Sequence, residues 1–136
     1  MRNIAQKAFS AIEIPYALEE QKEIVRRQRQ IYLSKALKQS GDTKKRPVVV
    51  VSIDIRNQYS STVLVVPFSS DTSGAANPSR VLMRKGEGGL NKNSVAMCDV
   101  MTNIHKRYLE SGLYGEITPE SFARIQRGIQ IAIGMY

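Results

Sequence analysis

Two apolar, β-branched runs separated by a polar stretch dominate the hydrophobic pattern of the chain. They cover residues 47–53 and 62–68, and both are rich in valine, which favours β-strands. Further segments with strand character lie at about 31–36, 79–84 and 94–99. The segments between them, at 37–45, 54–61, 69–78 and 85–89, carry the glycine, proline or polar residues typical of loops. Short strands punctuated in this way favour a small, strongly bent antiparallel sheet of barrel type.

A helix is predicted near the C-terminal end of the chain. Thr118 is a suitable N-cap, Pro119 suits the first helical position, and Glu120 places an acid in the first turn. Apolar residues then follow at helical spacing, namely Phe122, Ile125, Ile129 and Ile133. One face of this helix should pack on the sheet, so the predicted fold class is α+β.

The N-terminal part of the chain predicts a helical extension over residues 1–29, ahead of a barrel core and C-terminal helix over 30–136. Residues 16–29 are rich in helix formers, and their acids precede their bases, which suits the helix dipole. The extension either packs on the body or binds RNA, a partner or a second subunit. We expect it to be dispensable for folding, so that a chain starting near Gln28 still folds.

Length and composition predict one globular domain of 136 residues with no membrane-spanning stretch. The beginning of the sequence lacks an apolar block of signal-peptide length, and Cys98 is the single cysteine, so the cytoplasm is the expected location. No Cys/His cluster has the spacing of metal ligands, and we expect neither a metal nor a cofactor.

The charge pattern favours a polyanionic or acidic partner. The formal net charge is +8 and the isoelectric point is near 9.8. Between positions 26 and 46 one acid, Asp42, stands among eight basic residues: Arg26, Arg27, Arg29, Lys35, Lys38, Lys44, Lys45 and Arg46. Such a cluster can be a solvated basic face, but this one adjoins a candidate phosphate site, which favours nucleic acid.

That candidate site comes from the ends of the two valine-rich strands. Arg46 lies just before the first strand, and the hydroxyls of Ser69 and Ser70 follow the second. Because neighbouring antiparallel strands bring the start of one beside the end of the other, a guanidinium and a hydroxyl should meet at one edge of the sheet. The planar fork of arginine matches phosphate oxygens and keeps its charge.

Several short motifs occur in a distinctive order along the chain. They are Arg46-Pro47 before the valine run, Ser52 and Asp54 after it, Val66 to Ser70, Gly88-Gly89-Leu90, Ser94 to Asp99, Asn103 to Lys106 and, upstream, Gln30 to Leu33. Together, over about residues 29–136, they resemble the MazF/PemK/Kid family of toxin endoribonucleases.

The resemblance implies an SH3-like barrel with a C-terminal helix that acts as a homodimer. It also implies the toxin of a type II toxin–antitoxin pair, which cuts single-stranded messenger RNA at specific sequences without a metal. The 2′-hydroxyl would attack the adjacent phosphorus and leave 2′,3′-cyclic phosphate and 5′-hydroxyl ends. A cognate antitoxin with an acidic, disordered tail would fill the RNA groove.

The resemblance also implies roles for individual residues. Arg46 and Ser69 would be catalytic, with Ser69 in a position where the family commonly carries threonine. RNA-binding roles fall to Asp42, Lys44, Lys45, Ser70 and Asp99. Asp42 is one place from the usual position of an acid, and Met97 replaces the arginine that accompanies Asp99 in the Kid branch.

The single histidine and the single cysteine have simpler interpretations. His105 stands where the family often carries an acid, and a lone histidine is more often structural than catalytic. Cys98 lies in an apolar strand and should belong to the core.

Two other functions stay open. One is a non-enzymatic binder on the same fold, such as a gyrase poison like CcdB, because a fold does not fix a function. The other is a degenerate family member that binds RNA without cutting it, which the changes at Ser69 and Met97 allow.

Overall fold

The computed structural model describes residues 25–36 and 43–135, which contain seven antiparallel strands and two helices. The strands are β1 (Gln30–Ser34), β2 (Arg46–Val50), β3 (Thr62–Ser69), β4 (Arg80–Met83), β5 (Ser94–Met97), β6 (Thr102–His105) and β7 (Leu109–Glu116). The helices are α1 (Asp54–Tyr59) and α2 (Pro119–Ala132). Short 3-10 segments occupy Thr72–Ala76, Glu87–Gly89, Cys98–Val100 and Lys106–Tyr108. The predicted α+β class is confirmed.

The long strand β3 joins the parts of the sheet. The order of the strands is β4-β5-β3-β2-β1-β7, and β6 pairs with the first half of β3. The middle of β3 pairs with β2, with Val48 opposite Pro67, and its end pairs with β5, with Phe68 opposite Ala96. One strand thus serves three neighbours, which requires a bent sheet. The ladders of the described residues do not join β4 to β7, so closure into a barrel stays a prediction.

The central strands are buried on both faces, which explains their unbroken runs of apolar residues. On one face Val49, Val66 and Ile31 pack in a cluster that includes Phe122 and Ile125 of α2. On the other face a second cluster is formed by Tyr32, Val48, Val50, Val63, Val65, Ile104 and Leu109. The sheet is therefore a rigid support for the polar residues at its edges.

The five strands predicted from the sequence all occur, within a few residues of their predicted bounds. The prediction of a loop at 54–61 is wrong in part, because Asp54–Tyr59 form α1. The buried side chain of Asn57 holds this helix through hydrogen bonds to distant backbone. Strands β6 and β7 were not predicted, since β7 carries Ser111 and Gly112 and its middle is exposed. Strand β7 forms because it pairs with β1.

The prediction of an N-terminal helix is wrong for residues 25–29, because these five residues are not helical. The backbone N–H of Arg29 donates to the carbonyl of Val50 at 2.8 Å, and its carbonyl accepts from the N–H of Ile117 at 3.0 Å. Arg29 has a φ of 77°, in the left-handed region, which turns the chain into β1. These residues therefore add to the sheet. The rest of the predicted helical extension lies outside the described residues.

Helix α2 begins as predicted but ends earlier. The hydroxyl of Thr118 accepts from the N–H of Ser121 at 3.1 Å, which is the predicted N-cap. Phe122 and Ile125 are buried, whereas Ile133 lies after the last helical residue and is 66% exposed, so its predicted place on the packed face is wrong. No helix in the described part of the chain is long and apolar enough to cross a membrane.

Candidate functional site

The predicted meeting of Arg46 with the end of β3 follows from the register of the two strands. Val48 lies opposite Pro67, so continuing the register by two residues places Arg46 opposite Ser69. The guanidinium of Arg46 reaches the carbonyl of Phe68 at 3.4 Å. Its position is thus set by two neighbouring strands of the rigid core.

A cavity of about 230 Å³ opens beside this pair of strand ends. Its apolar lining comes from Leu33, Pro47, Phe68, Leu90 and Tyr114. Its polar lining comes from Lys44, Lys45, Arg46, Ser70, Asn91, Lys92 and Ser94. The cavity is smaller than a pocket for a drug-sized ligand, which has about 300–1,000 Å³. It can hold a smaller group.

The charged side chains that line the cavity in the described part of the chain are all cationic. Lys44, Lys45 and Lys92 are exposed and Arg46 is half-buried. The ammonium of Lys45 pairs with the carboxylate of Glu110 at 2.5 Å, and both side chains remain partly exposed. Clustered cations with apolar walls raise the local concentration of an anionic ligand. The site therefore favours phosphate or carboxylate ligands.

The two serines after β3 have different environments. The hydroxyl of Ser69 accepts a hydrogen bond from the N–H of Asp71 at 3.2 Å, whereas Ser70 lines the cavity. The carboxylate of Asp71 accepts from the N–H of Ser73 at 3.0 Å, and this bond lowers the pKa of Asp71. The structure thus brings Arg46 and Ser70 together in the cavity, and Ser69 stands at its edge within an ordered turn.

Asp99 lies outside the cavity lining and is held by an arginine that the sequence did not reveal. The guanidinium of Arg80 donates to both carboxylate oxygens, at 3.0 and 3.2 Å. Arg80 lies opposite Met97 in the β4–β5 ladder, so a neighbouring strand supplies an arginine at the place where Met97 lacks one. Asp42 lies outside the described residues.

His105 and Cys98 both have structural partners. The Nδ1 atom of His105 accepts from the N–H of Arg107 at 3.1 Å and caps a 3-10 turn. Burial, and then the charge of Asp99, raise the pKa of the Cys98 thiol to about 11, so the thiol stays protonated at neutral pH. Within 25–36 and 43–135, no three His, Cys, Asp or Glu side chains are grouped to bind a metal.

Sequence reasoning missed one wall of the cavity, formed by residues 90–92 and Tyr114. The sequence feature that could have revealed this wall is the Gly-Gly-Leu turn at residues 88–90. A Cβ on Gly115 would lie 2.6 Å from the carbonyl oxygen of Gly88, so the turn packs directly on the backbone of β7. Gly88 and Gly89 also have φ values of 58° and 81°. Only glycines permit this approach, which sets Asn91 and Lys92 beside Tyr114.

The comparison with protein families is decisive for the class of this chain. A family model described as PemK-like, MazF-like toxin of type II toxin–antitoxin system matches residues 27–133. The chain belongs to this toxin family. The match begins in the segment that leads into β1 and ends just after α2, so it includes every strand and both helices described above.

Individual relatives of the MazF type agree with this assignment. The Endoribonuclease MazF of Staphylococcus saprophyticus is 28% identical over 91 residues, which are 67% of this chain and 75% of that protein. MazF from Deinococcus radiodurans has a similar structure, with a TM-score of 0.70 at 18% identity, covering 83% of this chain and 100% of that one. A mycobacterial endoribonuclease in complex with its cognate antitoxin gives a TM-score of 0.67 at 22% identity, covering 81% and 96%. The two structures show that the fold is shared.

Proposed function

We propose that this toxin is a metal-independent endoribonuclease that cuts single-stranded messenger RNA at specific sequences. The observation that carries the proposal is the cationic cavity beside Arg46, whose guanidinium donates to the carbonyl of Phe68 near the end of β3. A relative of this chain is named Endoribonuclease MazF, which supports the same activity.

In the proposed reaction the RNA supplies its own nucleophile. The 2′-oxygen forms a bond to the adjacent phosphorus as its proton leaves, the bond from phosphorus to the 5′-oxygen breaks, and that oxygen gains a proton. The products are a 2′,3′-cyclic phosphate and a 5′-hydroxyl. Arg46 stabilises the extra negative charge on the phosphorane, an effect worth about 3–4 kcal/mol for a preorganised donor.

The serines and lysines around Arg46 hold the substrate. Ser69 donates its hydroxyl proton to a phosphate oxygen while it accepts from the N–H of Asp71, and Ser70 donates from within the cavity. Lys44 and Lys45 contact neighbouring phosphates, where they contribute charge without fixed geometry. Asp99, oriented by Arg80, contacts a base beyond the cavity, and Asp42 also binds the RNA.

The proposed partners follow from the same cationic surface. A cognate antitoxin with an acidic, disordered tail would occupy the cavity and exclude RNA, and a structural neighbour was solved with its cognate antitoxin. The protein acts as a homodimer in the cytoplasm, with RNA in the groove between subunits.

The test is incubation of the purified protein with a defined, 5′-labelled RNA in excess EDTA. We expect fragments that end in 2′,3′-cyclic phosphate, with a downstream 5′-hydroxyl that a polynucleotide kinase can label directly. A strict requirement for Mg²⁺, or 5′-phosphate products, would rule out this mechanism.

The same preparation separates the two alternatives. A CcdB-like protein would inhibit gyrase supercoiling and leave the RNA intact. A degenerate family member would bind the RNA with salt-dependent affinity and would not cut it.

A further inference from the structure

We propose that the cavity beside Arg46 holds one unstacked nucleobase and that Asn91 reads its hydrogen-bonding edge. The inference rests on the proposed RNA substrate and adds to it a residue that determines specificity. It follows from three features of the described residues: a small cavity with apolar and cationic walls, an amide that makes no hydrogen bond to another described residue, and a turn that fixes the position of this amide.

The shape and lining of the cavity suit a nucleobase joined to a phosphate. The volume of about 230 Å³ is bounded in part by Leu33, Pro47 and Tyr114, which are half-buried and have apolar surface that can contact the face of a base. Arg46 and Lys92 lie on the same lining and can hold the adjoining phosphate. Bases in single-stranded RNA are free to insert in this way, because their edges are not already paired.

Asn91 is the amide side chain of this wall, and it is available to a ligand. Among the described residues its amide makes no hydrogen bond, and it is exposed at the cavity. Its neighbour Ser94 donates to the carbonyl of Lys92 at 2.9 Å, and Asn93 accepts from the N–H of Lys85 at 2.8 Å. An amide presents a donor and an acceptor side by side, the arrangement that pairs with the edge of a base.

The backbone that carries Asn91 is fixed on both sides. The N–H of Gly86 donates to the carbonyl of Leu90 at 2.8 Å, and Leu90 itself is buried. The bonds of Asn93 and Ser94 hold the following residues. Gly88 packs against Gly115 of β7, so this turn cannot shift away from Tyr114. A side chain on such a support discriminates between bases without first paying the entropy of ordering its backbone.

The experiment compares Asn91→Ala with Asn93→Ala, the same change two residues away. Cleavage of an RNA library with randomised positions gives the preference for each base at each position around the cut. Asn91→Ala should reduce the preference at one position by about tenfold and leave the others, and the melting temperature, unchanged. Asn93→Ala removes the bond from Lys85 that supports this backbone, so it should lower the melting temperature and weaken the preference at the same position less than Asn91→Ala does.

Two further variants make the outcome sharper. Asn91→Asp replaces a donor by an acceptor, so it should shift the preference at the same position toward a base edge with two donors, such as that of guanine. Lys92→Ala should weaken affinity about equally for all sequences and reduce the slope of log affinity against log salt by about one. Lys85→Ala, which removes a lysine outside the cavity, is its control and should change neither.

Binding to RNA with a 2′-O-methyl group at the cut site separates this inference from the proposed activity. If the parent binds with a base preference that Asn91→Ala removes but cuts no RNA, the inference stands and the nuclease assignment fails. If the parent cuts and Asn91→Ala leaves the preference at every position within twofold, the nuclease stands and the inference is overturned. A parent that does not bind RNA overturns both.

Discussion

The two ends of the β2–β3 pair carry similar numbers of polar groups but use them differently. At the end that leads to α1, Ser52, Asn57 and the Arg26 backbone form a buried network in which each polar group has a partner inside the protein. At the opposite end, Arg46, Ser70 and the lysines face an open cavity. We refer to these as the closed end and the open end.

The polar groups of the closed end stabilise the fold. The hydroxyl of Ser52 donates to the amide oxygen of Asn57 and accepts from the N–H of Leu64 at 3.0 Å. The Asn57 amide donates to the carbonyls of Arg26 at 2.8 Å and Ser52 at 2.9 Å. Because leaving a buried polar group unpaired is costly, the network fixes α1 and the segment before β1 on the sheet.

The open end has the opposite character. Lys44, Lys92 and Asn91 make no side-chain bond to another described residue, and all three are exposed at the cavity. Water satisfies such groups at no cost, so they add little to stability and remain available to a ligand. The comparison predicts that changes at the closed end alter folding and that changes at the open end alter activity.

The largest effect should come from Arg46→Ala at the open end. We expect kcat/KM for RNA cleavage to fall by about 10²–10³, with little change in melting temperature. Arg46→Lys should also be poor, because a point charge lacks the bidentate geometry of guanidinium. Cleavage rates and thermal unfolding curves of both variants test these two expectations. A lysine variant with nearly normal activity would show that charge alone is needed.

Next in size is Asn57→Ala at the closed end. The change leaves Ser52 and the carbonyl of Arg26 without their partner, so unfolding in urea should show a loss of about 1–3 kcal/mol. Activity well below the melting temperature should be retained. The control is Asn91→Ala at the open end, which should keep parental stability. Equal stability of the two variants would contradict the division into two ends.

A smaller effect is expected for Ser69→Ala, which removes a hydroxyl at the edge of the cavity. Losing one hydrogen bond to the transition state should lower kcat/KM by about tenfold. Ser69→Thr keeps the hydroxyl and adds a methyl group that stiffens the side chain, so it should be at least as active as the parent. Single-turnover cleavage rates distinguish the two. If the alanine variant cuts at the parental rate, the hydroxyl of Ser69 has only the structural role of accepting a hydrogen bond from Asp71.

The last prediction concerns the start of the folded body. The guanidinium of Arg26 lies 4.5 Å from the centre of the Tyr32 ring and donates to the carbonyl of Glu110 at 3.2 Å, and the residue is only 8% exposed. These contacts predict that a chain starting near Gln28, although it still folds, is less stable than the parent.

The two shortened chains to compare begin at Val25 and at Gln28. The longer one keeps Arg26 and should unfold like the parent. The shorter one should lose about 1 kcal/mol of unfolding free energy with the ring contact, and more because the Asn57 amide loses the carbonyl of Arg26 as its acceptor. Urea unfolding curves give both values. Coincident curves would mean that Arg26 is dispensable and that the folded body begins after it.

The sequence by itself determined the parts that depend on local pattern. Valine runs that alternate with glycine and polar loops predicted five strands, and Thr118 with Pro119 predicted the start of α2. The order of short motifs indicated the toxin family, since each motif keeps its residues within a few positions of one another. These features need no knowledge of which segments meet.

Only the tertiary structure decided which residues share the site. Asn91, Lys92 and Tyr114 line the same cavity as Arg46 because a glycine turn packs on β7, and no local pattern encodes that packing. The pairing of Arg80 with Asp99 depends on the β4–β5 register in the same way. Helix α1 forms where the sequence suggested a loop, because burial of Asn57 outweighs weak local propensity. Long-range packing therefore set the chemistry, while local pattern set the elements that carry it.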